Sequence, residues 1–525
     1  MKKISEFLRN VCSYMRENPT EIIFGAYLFL IMKISIDYAD YHVGWFIIIL
    51  LIYSVFLIIK RSHHWIVNFS FVPPSDFSSK KKLQVFCVAW GITFVVLLFC
   101  FIGFYPGSFI DSISQYKQVI NGTYDDWHPV WHTLLLFFLP LKLTGGWSGS
   151  VVLFQMIYFS LLMGYMTVLI YIYSGLVYAC ISVAFILLNP FTLQIVMCPT
   201  KDVAFAMVSA LCMLYAVNIY FTNGKWCDKR YRIVLLAFML ASVTLFRHNG
   251  ILFSLFLLFA LFFNMPRKSW RMLNETTCII FVCIKCFLYW FLNVGVPSGR
   301  IMETTGLPLS IIVNVAKECP ERLDERTSDF VSDLMVKQPN WKVRHNISGI
   351  NTVKMDDKFK ELAINESAIE NAGVCCILQM MCHCFRVAPK QSFEAFVGLT
   401  IPVYGLEITG GVGVGVDEND IGLAYNGVED IVSWVEGYCR SVYGTPLRFI
   451  FTIGFTILIM LAFILFKSNF RSFEDWKRIF LCFPIFTYNF GTMLLLSGHD
   501  VRFFYVSFLI CPLVVLIMGG KRVEC

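Results

Sequence analysis

Apolar runs close to membrane-spanning length recur along most of this chain, and that recurrence limits its fold more than any motif does. A hydrocarbon core of about 30 Å takes roughly 20 helical residues to cross. Lipid offers no partner to backbone N–H and C=O groups, so runs at this density read as helices. With 57% hydrophobic and only 15% charged residues, the composition excludes an ordinary soluble domain. The pattern predicts an all-α polytopic membrane protein with twelve spans, at 21–38, 43–60, 84–104, 149–173, 176–195, 202–222, 232–246, 250–265, 273–294, 447–466, 479–497 and 503–519.

Basic residues orient these spans, because Lys and Arg collect in cytoplasmic loops. With the N-terminus inside, the cytoplasmic connections are 60–82, "GKWCDKRYR" at 224–232, "PRKSWR" at 266–271, "KSNFRSFEDWKR" at 467–478 and the tail "KRVEC". Each is basic, so the formal charge of +7 reads as topology and not as a nucleic-acid footprint. The basic N-terminal segment lacks a cleavable signal and runs straight into the first span, which places both termini in the cytoplasm. The apolar stretch "WHTLLLFFLPLKL" at 131–143 is short and contains a proline. Crossing there would invert every later loop, so it is expected to lie in the outer interface.

Three units follow: an N-terminal transmembrane module (1–294) with a polar external loop at 105–148, an external segment (295–446), and C-terminal helices (447–525). The external segment carries "GLEITGGVGVGVDENDIGLAYNG" at 405–427 and is expected to form a small external domain or an elaborated loop, mixed in secondary structure. No Lys and Ser/Thr follow its glycines as a phosphate loop requires, which leaves a loop reading. The cysteines of "CCILQMMCHC" at 375–384 are read as packing one helix face, with or without one disulfide, in preference to a metal cluster.

In this topology the unusual ionisable residues fall on one side of the membrane. "YPGSFIDSISQYKQVINGTYDDWHP" at 105–129 supplies Asp111, Gln115, Asp125, Asp126 and His128, with His132 just beyond. Lys201 and Asp202 open a helix, Arg247, His248 and Asn249 join two spans, and His499, Asp500 and Arg502 precede the last span. Charges near membrane depth are expensive, which makes them functional candidates. Lys201 at a helix N-terminus, with Arg247 and Arg502, suits a phosphate-bearing lipid headgroup. The structural alternative is that these cations pair with Asp202 and Asp500 and only tie helices together. Asp111 is either a general base toward a hydroxyl or a helix cap. His128 and His132, four apart, suit either a divalent ion or interface anchoring. Anchoring is favoured, so no metal and no cofactor is assigned.

The motifs "DSISQYKQVINGTYDDWHPVWHTLL", "PTKDVAFA", "RHNG" and "HDVRFFY" resemble the GT-C superfamily of integral-membrane glycosyltransferases. The likeness is to a bacterial branch related to the protein-mannosyltransferase and aminoarabinose-transferase families. It implies interfacial helices in the first external loop, an acidic loop residue matching Asp111 as base, and a polyprenyl-phosphate sugar donor. By the same likeness, Asp126 and His128 fall in the catalytic loop, Lys201, Arg247 and Arg502 hold the donor phosphate, and Gln115, His132, Asp202, Asn249 and Asp500 support them. Relatives carry two adjacent acidic residues, whereas here Ser112 follows Asp111 and the nearest acidic pair is Asp125–Asp126. Which carboxylate is the base stays open.

The expected function is sugar transfer to an extracytoplasmic envelope acceptor at the cytoplasmic membrane. A transporter or flippase of an anionic lipid or polymer is the alternative, and an envelope polymerase or ligase is a third. Cysteines placed singly through 105–130 should react with a membrane-impermeant maleimide only from outside. Labelling from the cytoplasm would overturn the orientation.

Overall fold

The computed structural model describes residues 17–38, 45–74, 78–109, 112–295, 304–347, 349–354, 363–404, 415–498 and 500–520. Asp111, His499, the glycine-rich 405–414 and the tail 521–525 lie outside them. The described residues are helical, with two isolated bridges and no strand. Six helices are long and apolar enough to cross a membrane: Ser79–Phe104, Ser150–Ser174, Lys201–Phe221, Arg267–Phe291, Glu366–Val387 and Val501–Gly519. Five coincide with expected spans. Every other expected span also carries a helix, several of them shorter.

Local chemistry sets several of the ends. The Ser78 hydroxyl accepts from Lys81 N–H at 3.3 Å and starts Ser79–Phe104. The expected span 176–195 is broken, because Pro190 cannot donate a backbone bond. The helix stops at Leu187, and Asn189 caps a short one, Pro190–Ile195, through Phe191 N–H at 3.0 Å. The stretch Val130–Leu143 is one apolar helical rod, about 21 Å long at 1.5 Å per residue. That is too short to cross.

Burial separates central helices from peripheral ones. In Lys201–Phe221 and Val501–Gly519, 78% and 83% of the apolar stretch is buried, against 28% in Ser79–Phe104 and 17% in Arg267–Phe291. The last two present apolar side chains outward, as lipid-facing helices do.

The basic connections gather at one end of the bundle. The Lys467 ammonium donates to Val67 O at 3.0 Å and to Phe69 O, Asn264 bonds Lys477 O at 3.2 Å, and Arg478 bonds Met518 O at 3.1 Å. A Cβ on Gly224 would lie 2.8 Å from Pro266, so those two basic loops are neighbours as well. The polar motif loops lie at the opposite ends of the same helices.

The segment 295–446 differs from expectation. Its described residues form the helices Gly306–Glu318, Glu325–Leu334, Glu366–Val387, Pro389–Tyr404 and Glu429–Tyr443, not a mixed domain. The glycine stretch read as a loop lies, over 405–414, in the part not described. Glu366–Val387 bends at Gly373, whose φ of 70° no helix contains. The segment shares the main hydrophobic core, since Gly306–Glu318 is buried over Gly306–Ala316 and packs on Phe473–Leu494. At Gly306 a Cβ would sit 2.5 Å from the Leu496 carbonyl oxygen. Gly306→Ala should therefore cost about 1–3 kcal/mol through overpacking. A lower melting temperature in detergent checks this, and an unchanged one would mean the segment docks more loosely.

Candidate functional site

The loop 122–129 turns one aspartate out and the next one in. Asp125 is exposed, whereas Asp126 is 3% exposed. A bridge pins the loop, with Asp126 N–H donating to Gly295 O at 3.0 Å and Gly295 N–H to Tyr124 O at 2.9 Å. The Asp126 carboxylate accepts from Tyr289 OH at 2.7 Å and pairs with Lys285 at 3.4 Å, and Val130 N–H lies 3.5 Å away. Burial pushes this carboxyl up. The Tyr289 hydroxyl, the Lys285 ammonium, His248 and Val130 N–H together outweigh burial and hold it below the usual carboxylate value. Asp126 is thus a fixed anion at neutral pH, and a carboxylate held low is a weak proton acceptor.

Lys285 and Tyr289 come from Arg267–Phe291, and sequence reasoning missed both. The signal was present, since a lysine inside an apolar span is a functional candidate in its own right. Tyr289 sits in a π-helical turn, Phe287–Phe291, and a second one, Thr133–Phe138, follows His132. Such turns rotate the side chains beyond them and cluster at functional sites.

His248 donates toward the Asp126 carbonyl at 3.4 Å, so "RHNG" meets the first loop directly. Burial lowers the His248 pKa, and the Lys285 and Lys201 cations add to that against the pull of Asp126. Asn249 donates to Thr492 Oγ1 at 2.7 Å. His132 is fully buried between Phe137 and Phe246, with Gln115 Nε2 2.8 Å from its Nδ1 and equally near Thr133 Oγ1. Its Nε2 has no partner.

Asp202, 4% exposed, is ion-paired with the buried Arg247. The guanidinium of Arg247 also lies 4.3 Å from the ring centre of Phe503, and that of Arg502 lies 5.8 Å from it. Arg502 in turn grips Asp500 Oδ2 through Nε at 2.8 Å and Nη2 at 2.6 Å. Both guanidiniums that the sequence offers to phosphate therefore face carboxylates, Arg247 in a buried pair and Arg502 in one about a quarter exposed. Lys201 opens its helix half-buried, electrostatically coupled to both His132 and His248. Thr200 before it makes no side-chain cap, and its buried hydroxyl has no partner.

The structure thus brings together Asp126, His248, Lys285, Tyr289, Lys201, His132, Gln115, Asp202 and Arg247, with Arg502 and Asp500 joined through Phe503. His128 is half-buried on the same loop. Asp111 lies outside the described residues. Among those described, no group of three or more His, Cys, Asp or Glu side chains is placed to hold a metal, and the cysteines are free thiols. Compared with family models, curated proteins and solved structures, the chain matches none.

Burial and the Lys201 cation, partly opposed by Asp202, push His132 from its ordinary 6.5 down to about 3. The unfolded chain therefore binds the extra proton across that window, and stability rises with pH through it. It is fully present above about 6.5 and is lost as pH falls toward 3. His345, held at about 4 by burial and Lys317, acts in the same direction. Melting temperatures at pH 7.5 and 5 should fall less steeply in His132→Gln than in the wild type. Identical slopes would show that His132 is not the buried neutral group described.

Proposed function

We propose that the protein is a GT-C-type membrane glycosyltransferase that moves a sugar from a polyprenyl-phosphate donor to an acceptor of the cell envelope outside the cytoplasmic membrane. The observation that carries this reading is the gathering of charged residues from four separate loops and from Lys285 at one end of an apolar helix bundle. A partly buried cluster of cations at one end of such a bundle suits a phosphate headgroup on a lipid tail. In this reading the chain crosses twelve times, the basic connections face the cytoplasm and the cluster faces outward. The collection of the basic segments at the opposite end supports that orientation.

The roles divide by accessibility. Lys201, beside the unpartnered Thr200 hydroxyl, and Arg502, whose pair with Asp500 is partly open, hold the donor phosphate and stabilise it as it leaves. Arg247 belongs to the same cluster, and its buried pair with Asp202 supports a bracing part as well. Asp111 is the general base of this reading. The low carboxyl of Asp126 favours an electrostatic role, with His128 beside it.

The transporter or flippase reading has its own support in Lys285, a charge within a span, and in the prolines inside two helices, Pro484 and Pro512. One experiment separates the two. Protein in proteoliposomes is incubated with a panel of polyprenyl-phosphate sugars and hydroxyl acceptors, neutral methyl glycosides with water as the remaining acceptor of the glycosyl group, and free polyprenyl phosphate is measured. Wild type should release it, Asp111→Asn should lose at least about a hundredfold in rate as a missing general base does, and Lys201→Ala and Arg502→Ala should raise the apparent KM for donor. Lipid movement across the bilayer without donor consumption would overturn the transferase.

A further inference from the structure

The helix Glu429–Tyr443 belongs to a segment that the sequence reads as external, yet it is fastened to the ends of two apolar helices. Val428 N–H, just before it, donates to Ile102 O in the last turn of Ser79–Phe104 at 3.2 Å. Further along, the Tyr438 hydroxyl donates to Leu188 O, at the end of Leu176–Leu187, at 2.6 Å. The helix therefore runs along the rim of the bundle, at the end that carries the polar motif loops. A Cβ on Gly103 would lie 2.6 Å from Ile431, so the helix and the span are in direct contact.

Its sides differ in chemistry. Ile431, Val435, Cys439 and Val442 recur three and four apart, and the last three are buried against the protein. Glu429 and Asp430 open the helix, where carboxylates suit its free N–H groups. Exposed Ser433, Glu436 and Arg440 line a polar side, with Glu436 and Arg440 ion-paired across one turn at 4.0 Å. A third side is aromatic. Trp434 and Tyr438, one turn apart, stack with ring centres 6.2 Å apart and planes within 10°. Trp434 is 58% exposed, and its ring meets that of Phe99 edge-on at 5.4 Å. Phe99 is itself exposed on the lipid-facing side of Ser79–Phe104, five residues or about 7.5 Å from the end of that helix. That is the depth, about 5–10 Å, to which a helix lying in the membrane interface sinks its apolar side. Tryptophan and tyrosine are the residues favoured there. A protein partner covering Trp434 would have to cover Phe99 and the lipid-facing span with it, whereas lipid already lies against both.

We propose that Trp434 and Tyr438 form a lipid-binding face that seats the helix Glu429–Tyr443 in the membrane interface. The proposal stands on this geometry and does not depend on the transferase reading. Its consequence reaches the first external loop. Residues 415–428 lead into the helix and lie along the chain that leaves Ser79–Phe104, with Asp417 N–H donating to Phe109 O at 3.1 Å and Asn426 N–H to Tyr105 O at 3.0 Å. Lipid contact at Trp434 holds this strap against the start of the loop.

Benzoylphenylalanine placed at single positions of the full chain, in proteoliposomes of tritiated phosphatidylcholine, tests it. Illumination should attach lipid to the chain from positions 434 and 438, and several-fold less from position 436 on the polar side. Position 95, where Val95 is exposed on the span, sets the yield of a lipid-facing residue. Position 438 answers the question if the variant at 434 fails to fold. Equal yields at 434 and 436, or no lipid at 434 and 438 when position 95 is labelled, would overturn the proposal. Attachment of position 434 to a second copy of the chain in place of lipid would overturn it too. No sugar donor is present in this assay, so its outcome is separate from that of the transferase test.

Discussion

The pair between Asp202 and Arg247 is the interaction on which the polar end of the bundle depends. It joins the first turn of the central helix Lys201–Phe221 to the connection between Arg230–Phe246 and Gly250–Phe262. Through Phe503, under the same guanidinium, it reaches the start of the last helix, and Tyr488 closes the arrangement by donating to Phe503 O at 2.9 Å. Taking two charges out of water costs several kcal/mol per ion in effect, about what their attraction returns, so such a pair contributes little net stability. Its value is directional. Removing either partner leaves an uncompensated charge at a cost of about 3–5 kcal/mol, which disfavours any arrangement that separates these three elements.

On that frame the loop 122–129 works as a partition. Successive residues of an extended strand point to opposite sides, and the short bridge to Gly295 gives this loop the same alternation. Asp126 faces the protein and is gripped by Lys285 and Tyr289, while Asp125 faces out and orients Gln118. The two adjacent carboxylates therefore serve different surfaces. One is a fixed anion among cations, and the other is a clamp on a neutral amide.

Much of this was legible in the sequence, for a physical reason. Lipid enforces helix formation through backbone satisfaction alone, so apolar runs report helices directly, and all twelve expected spans carry one. The basic loops were legible too, because they cluster by charge. The segment 295–446 was not. Its helix Gly306–Glu318 buries itself against protein instead of lipid, and so carries a proline, an asparagine and a serine within a fully buried stretch. The site was readable as far as its loops, where charges stand out against apolar runs. Lys285 and Tyr289 were hidden inside "CIKCFLYWF", where a span was expected and its polar content passed over. The pairing of Arg247 and Arg502 with their aspartates was visible only as one of two alternatives, since spacing does not say whether a cation waits for a ligand or already holds a carboxylate.

The electrostatic balance of the cluster bears on the proposed chemistry. Among the described residues, the cations Lys201, Arg247, Lys285 and Arg502 gather with the carboxylates Asp126, Asp202 and Asp500. A sugar phosphodiester carries one negative charge. Loss of the sugar leaves a phosphate monoester that tends toward two, as phosphate groups do near neutral pH. The added charge must then be met from within the site, and two features can meet it. The partly exposed Arg502 can turn from Asp500 to the ligand, whose phosphate oxygens offer the guanidinium equivalent forked contacts. His248, kept neutral by burial and by the Lys285 and Lys201 cations, gains affinity for a proton as a second negative charge develops nearby. The buried brace of Asp202 and Arg247 has neither freedom. A site built this way combines one fixed pair that holds three elements in place with one loose pair and one neutral imidazole that can respond to the charge that bond breaking creates.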